Sequence, residues 1–144
     1  MFMLEQLVIS FIASAGFGIV FNVPKDTLLK CGFVGMLGWL VYLLLTGRGF
    51  DEILASLGAS IVVTALSQVF ARLYKTPIIV FSVAGVIPLV PGGLAYDAMR
   101  SVVENRYDQA VQLAAKAFMI SGAIAIGLMF SEVVYLLLRR VRSR

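Results

Sequence analysis

Pro77-Ile-Ile-Val-Phe-Ser-Val-Ala-Gly-Val-Ile-Pro88-Leu-Val-Pro91-Gly92-Gly93 begins as an apolar helix and cannot finish as one. Thr76-Pro77 is a good helix start, with Thr as N-cap and Pro in the first turn. Pro88 and Pro91 each lack an N–H and disrupt a helix at that point. Gly92 and Gly93 admit backbone angles closed to other residues. Pro88 lies 11 residues beyond Pro77, about 16 Å of helical rise. In a membrane span that is near the midplane, where freed backbone groups must be satisfied by protein or by a water-lined cavity. Broken helices at that depth are how secondary transporters build binding sites. A plain proline kink is the simpler reading. Two prolines three apart plus a glycine pair exceed a kink, so Pro88, Pro91, Gly92 and Gly93 are candidate substrate or gating residues.

The surrounding sequence decides that this run lies in a membrane. The chain has 144 residues, of which 60% are apolar and 14% charged, with a mean hydropathy of +0.97. A soluble domain is about 45–50% apolar and about 25% charged, and a disordered chain is polar and charge-rich. There is no His, and Cys31 is the single Cys. Ser-His-Asp or Cys-His catalysis, His-based metal sites, Cys-ligated clusters and internal disulfides are therefore excluded. No paired carboxylates or activated nucleophile suggest a membrane enzyme, and no cofactor is implied.

At roughly 20 residues per span, the expected fold is an all-α polytopic transmembrane bundle forming a single integral membrane domain over 1–144. Five spans are expected, at about 4–21, 27–46, 53–70, 77–95 and 111–138. The first lacks a positive n-region, since Glu5 is the only charge before Lys25, and it reads as a retained helix rather than a signal peptide. Residues 96–109 set Met99, Val102, Val103 and Tyr107 against Asp97, Arg100, Glu104 and Arg106, which suggests a short interfacial helix before the fifth span.

Basic residues set the orientation. Five spans put Lys25, Lys30, Arg72, Lys75 and the four arginines of the tail on one side, eight in all, against Arg48, Arg100 and Arg106 on the other. A re-entrant fourth segment would divide them five to six. The bias favours five spans, with the N-terminus outside and the C-terminus cytoplasmic. The net charge of +4 is accounted for by topology, with no nucleic acid implied.

Four spans carry small or hydroxyl stripes: Ser10, Ser14 and Gly18; Gly32, Gly35 and Gly38; Ser56, Ser60, Thr64 and Ser67; Ala117, Ser121 and Ala125. Such stripes let helices approach closely in lipid. On the third span, Gln68 shares a face with Thr64, and both are candidates for a polar pathway wall. Glu132, about 9 Å inside the fifth span, and Asp97, just past the glycine pair, are candidate proton-coupling carboxylates. Lys116 is about 24 Å and 160° from Glu132 on the same helix, so the two cannot pair. Lys116 is expected to snorkel.

Phe21-Asn22-Val23-Pro24, Gly35-Met-Leu-Gly38-Trp39-Leu-Val-Tyr42, Lys75-Thr76-Pro77 and Ile87-Pro-Leu-Val-Pro-Gly-Gly93 with Tyr96 together resemble the threonine/serine exporter family. The likeness is to its small-subunit type, equivalent to the C-terminal half of the full-length exporter. It runs in order along nearly the whole chain, and the segment 87–93 is its most specific part. The resemblance implies secondary export of small hydrophilic metabolites such as threonine and serine, or of a dicarboxylate such as succinate, from a bacterial-type inner membrane. It also implies a larger partner subunit. The family supplies no established catalytic set, and Asn22, in the first motif, joins the substrate or gating candidates. One departure is Ala84, where a proline is expected, which leaves the first half of the broken helix more regular. The competing function is a non-transporting scaffold subunit, although a scaffold has no need of a midplane break. An odd number of spans and the extent of packing stripe favour a chain that assembles, with a larger subunit or with further copies of itself.

Overall fold

Each long apolar segment folds as a helix, because in lipid only a helix satisfies its own backbone. The computed structural model describes residues 2–142. They form α1 (Phe2–Val20), a 3-10 turn (Lys25–Thr27), α2 (Leu28–Gly47), α3 (Glu52–Leu73), α4 (Ile78–Val86), a second 3-10 turn (Ile87–Leu89), α5 (Gly92–Val103) and α6 (Tyr107–Arg142). Among the described residues, four stretches are long and apolar enough to cross a membrane: Phe2–Val20, Lys25–Gly47, Glu52–Leu73 and Tyr107–Val141. Ile78–Leu89 and Gly92–Val103, bent by 51°, make a fifth if counted as one broken span. The all-helical, multi-span architecture is as the sequence implies.

The interior is small and the exterior is large. Ile9, Ile12, Leu29, Phe118, Ile126 and Met129 are exposed, while Cys31, Ala55, Ala59, Val63 and Ala84 are fully buried. That arrangement suits lipid, where association depends on close packing rather than on a hydrophobic drive. The buried residues of α1 are Ser10, Ser14 and Gly18, and those of α2 include Gly32, Gly35 and Gly38, which are the stripes expected of both. A methyl group on Gly35 would overlap Ser14, and one on Gly32 would lie 2.9 Å from the Phe11 carbonyl oxygen. The α3 stripe is also buried. Its hydroxyls donate to carbonyls of their own helix, Ser56 to Glu52 at 2.7 Å, Thr64 to Ser60 at 2.9 Å and Ser67 to Val63 at 2.7 Å. No unmet donor is left on that face, so it packs at little cost.

On α6 the expected stripe is the wrong one. Ala117 is half-buried and Ser121 and Ala125 are exposed, whereas Ile120, Ala123, Ile124, Gly127 and Ser131 face inward. The seam is chosen by shape at Gly127, where an added methyl group would lie 2.9 Å from the Leu57 carbonyl oxygen and overlap Ser60. Small size alone does not define a packing face.

The end of the bundle that carries both basic loops is tied together by aromatic contacts. The Lys30 ammonium lies 3.4 Å from the centre of the Tyr74 ring, and Arg72 Nε donates to the Tyr135 hydroxyl. Among the described residues, a non-glycine residue in the left-handed region follows α1 and α3 at this end, Asn22 (φ 54°) and Lys75 (φ 50°), and follows α5 in the turn before α6, Asn105 (φ 58°). At Asn22, Val23 N–H donates to Gly18 and Asn22 N–H to Ile19, the double bond of a Schellman cap. Asn105 repeats the motif after α5, with Arg106 N–H donating to Ser101 and Asn105 N–H to Val102. The helix before the last span is therefore Gly92–Val103, starting four residues earlier than 96, and Tyr107–Gln109 belong to α6. In this turn the Arg100 guanidinium hydrogen-bonds Glu104 at 2.8 Å and holds its carboxyl below the ordinary range. A lowered pKa stabilises the folded state above the ordinary Glu value, and that contribution is lost as pH falls.

Candidate functional site

The break in the fourth segment is a sequence of three backbone devices. Val90 N–H donates to Ile87 at 3.2 Å, so the 3-10 turn closes over Pro88. Val90 is then extended (φ −63°, ψ 128°). Pro91 (φ −78°, ψ 55°) is spanned by a 2.8 Å bond from Gly92 N–H to Val90 C=O, which is an inverse γ-turn. α5 starts at once from Gly92, with no side chain capping it. The expectation that Gly92 and Gly93 supply unusual angles is not met. Neither is in the positive-φ region, and both belong to the first helical turn. The prolines make the bend, and the glycines leave room beside it. At the other end, α4 starts at Ile78 after an extended Pro77. Thr76 Oγ1 donates to the Tyr74 carbonyl at 3.1 Å rather than capping α4. Ala84 is fully buried and α4 runs unbroken to Val86, as its lack of a proline implies.

A cavity of about 230 Å³ opens against this break, lined by Trp39, Tyr42, Glu52, Ser56, Pro88–Pro91, Gly93, Leu94 and Ile120. Pockets for drug-sized molecules hold about 300–1,000 Å³, so this one suits a molecule of a few heavy atoms. Trp39 and Pro88 also wall a second cavity of about 190 Å³ beside Gln6 and Ser10. They form the partition between the two. Trp39 is fixed from both sides: its Nε1–H donates to Gln6 Oε1 at 3.1 Å, and its ring stacks on Tyr42 at 4.8 Å.

The charged residue in this cavity's wall is Glu52, which the sequence reading did not single out as a site. Glu52 Oε1 lies 3.0 Å from Lys116 Nζ, with side chains 43% and 40% exposed. Lys116 does not merely snorkel; it clasps α6 to the start of α3. A signal for this was present. With five spans, the start of the third and the early part of the fifth lie at the same membrane level, so opposite charges there are potential partners.

The other candidates are dispersed. Pro88, Pro91 and Gly93 line the cavity, while Gly92 does not. Thr64 is buried in the α3–α6 seam, and Gln68 Nε2–H donates across it to the Ser131 carbonyl at 3.3 Å. Asn22 is exposed in the α1 cap, at the basic end of the bundle. Asp97 is exposed one turn after Gly93, and Glu132 is exposed on α6, about 24 Å along the helix from Lys116.

No solved structure matches the chain. Residues 6–134 match the family described as Threonine/Serine exporter, ThrE. That match includes the cavity-lining break and all or most of each of the five apolar segments, and it marks a membrane transport protein rather than an enzyme. The chain belongs to the threonine/serine exporter family.

Proposed function

We propose that this chain is the small membrane subunit of a secondary exporter of small hydrophilic metabolites, threonine- or serine-like amino acids or a dicarboxylate such as succinate. The observation that carries the reading is the 51° break opening on a small cavity that has Glu52 in its wall. A scaffold subunit would not need either. The cavity lies between α2, α3, the α4–α5 break and α6, and a larger partner subunit would complete the pathway on the exposed faces. Five spans are an odd number, which fits one half of a transporter whose halves meet at a shared site.

The test is export of L-threonine and of succinate by cells lacking this chain and complemented with it, with and without the larger subunit. Export is expected only when both are present. A monodisperse 15.6 kDa chain that transports when reconstituted alone would overturn the half-transporter assignment.

The proposed membrane is the bacterial-type inner membrane, with the N-terminus outside and the C-terminus cytoplasmic. Eight basic residues against three support this orientation. Phe50→Cys and Tyr74→Cys, each in a Cys31→Ala background, change no charge and sit in the loops after α2 and α3. An impermeant thiol reagent applied to intact cells should label position 50 and spare position 74. Labelling of both from one side would rule out five spans.

A further inference from the structure

We propose that Glu52 and Lys116 are the charge receptor for a zwitterionic cargo, Glu52 taking its ammonium and Lys116 its carboxylate. The proposal rests on the export reading above and names the residues that would hold the cargo's charges at that same cavity. The local ion pairs of Arg100, Glu104 and Arg106 hold a turn, but the Glu52–Lys116 pair joins two helices. It does so at the edge of a cavity. Glu52 is in the wall, and Ile120, one helical turn after Lys116 on the same face, is in the wall as well.

Neither partner is locked in place. Both side chains are close to half exposed, and a pair in that setting contributes little to stability. An ion pair of this kind can exchange its internal partner for a ligand's charge at small cost. A molecule with one ammonium and one carboxylate replaces each lost contact with an equivalent one. A dicarboxylate would set its second carboxylate against Glu52, and a simple amine would face Lys116. Around the pair, Tyr42 and Ser56 line the same wall. The uncapped first turn of α5 adds the positive end of a helix dipole on the side of Gly93 and Leu94. The volume of about 230 Å³ is enough for a small amino acid.

The experiment is binding of radiolabelled L-threonine to the full chain in nanodiscs, with competition by analogues. Unlabelled threonine should displace the label. Threonine methyl ester, N-acetylthreonine and succinate each lack one of the two complementary charges. Each should compete about tenfold more weakly or worse, since one charged hydrogen bond is lost. Competition by the ester and the N-acetyl compound as strong as that by threonine itself would overturn the proposal on the wild-type protein alone. Glu52→Gln and Lys116→Met should each weaken binding about tenfold. The doubly exchanged E52K/K116E chain restores a structural clasp but presents the two charges in reversed places, so its threonine affinity should stay low. Recovery of wild-type affinity there would make the pair a clasp and no receptor. In complemented cells, threonine export unchanged by Glu52→Gln and Lys116→Met removes the receptor and leaves the export reading standing. Absence of both threonine and succinate export from cells carrying the wild-type chain with its partner removes the export reading itself.

Discussion

Gly93→Leu should reduce export by about tenfold to a hundredfold, while its neighbour Gly92→Leu stays close to wild type. Both positions are in the first turn of α5, and neither has any atom within 4 Å of where a Cβ would sit. Leu is a better helix former than Gly, so neither substitution should impair insertion. The difference between them lies in where the side chain goes. Gly93 lines the cavity at the break and Gly92 does not. Overfilling a site costs about 1–3 kcal/mol, which is a factor of about ten to a hundred in occupancy. The assay is export at equal membrane abundance, with abundance checked by immunoblot. Equal loss in both variants would mean that the glycines matter to the backbone rather than to the cavity. Full activity in both would remove the break from the transport path.

The fold was largely legible because its determinants are local. Span length follows from runs of apolar residues, and the break follows from Pro88 and Pro91, whose missing N–H groups act wherever they are placed. The Schellman end at Asn22 and the start of α5 at Gly92 needed the backbone. No periodicity distinguishes a glycine that twists the chain from one that begins a helix. The packing face of α6 was misread for a related reason. Ala117, Ser121 and Ala125 form a stripe of small residues, but the partner α3 selects the face whose profile admits the Leu57 carbonyl, and that property belongs to two helices at once. The lining of the cavity at the break was legible at Pro88, Pro91 and Gly93. The ion pair of Glu52 and Lys116 was not legible, since they are 64 positions apart in the chain and meet only because α3 and α6 pack. Thr64 and Gln68 read as a pathway wall because they are polar residues in an apolar helix. Thr64 instead satisfies a carbonyl of its own helix, and Gln68 reaches the Ser131 carbonyl on α6. Polarity inside a membrane helix can mark a seam as readily as a path.

The α3–α6 seam itself should fail at one residue. Gly127→Leu is expected to destabilise the chain by about 1–3 kcal/mol, and Gly122→Leu on the same helix should leave stability nearly unchanged. At Gly127 a Cβ would overlap Ser60 and lie 2.9 Å from the Leu57 carbonyl oxygen. Ser60 can turn its hydroxyl away, but the carbonyl belongs to the α3 backbone and moves only if the helices separate. At Gly122 nothing lies within 4 Å, so a side chain there extends into open space. A lost 1–3 kcal/mol corresponds to a fall in Tm of about 3–12 °C for a chain of this size, measured as loss of the monodisperse peak after heating in mild detergent. Separation of α3 from α6 also pulls Glu52 away from Lys116, so Gly127→Ala, the smallest step, should weaken threonine binding before it unfolds the chain. A Gly127→Leu chain as stable as Gly122→Leu would show that α6 can repack on another face. The exposed Ala117, Ser121 and Ala125 would then be a usable seam, and the geometry at Glu52 would no longer depend on the contact at Gly127.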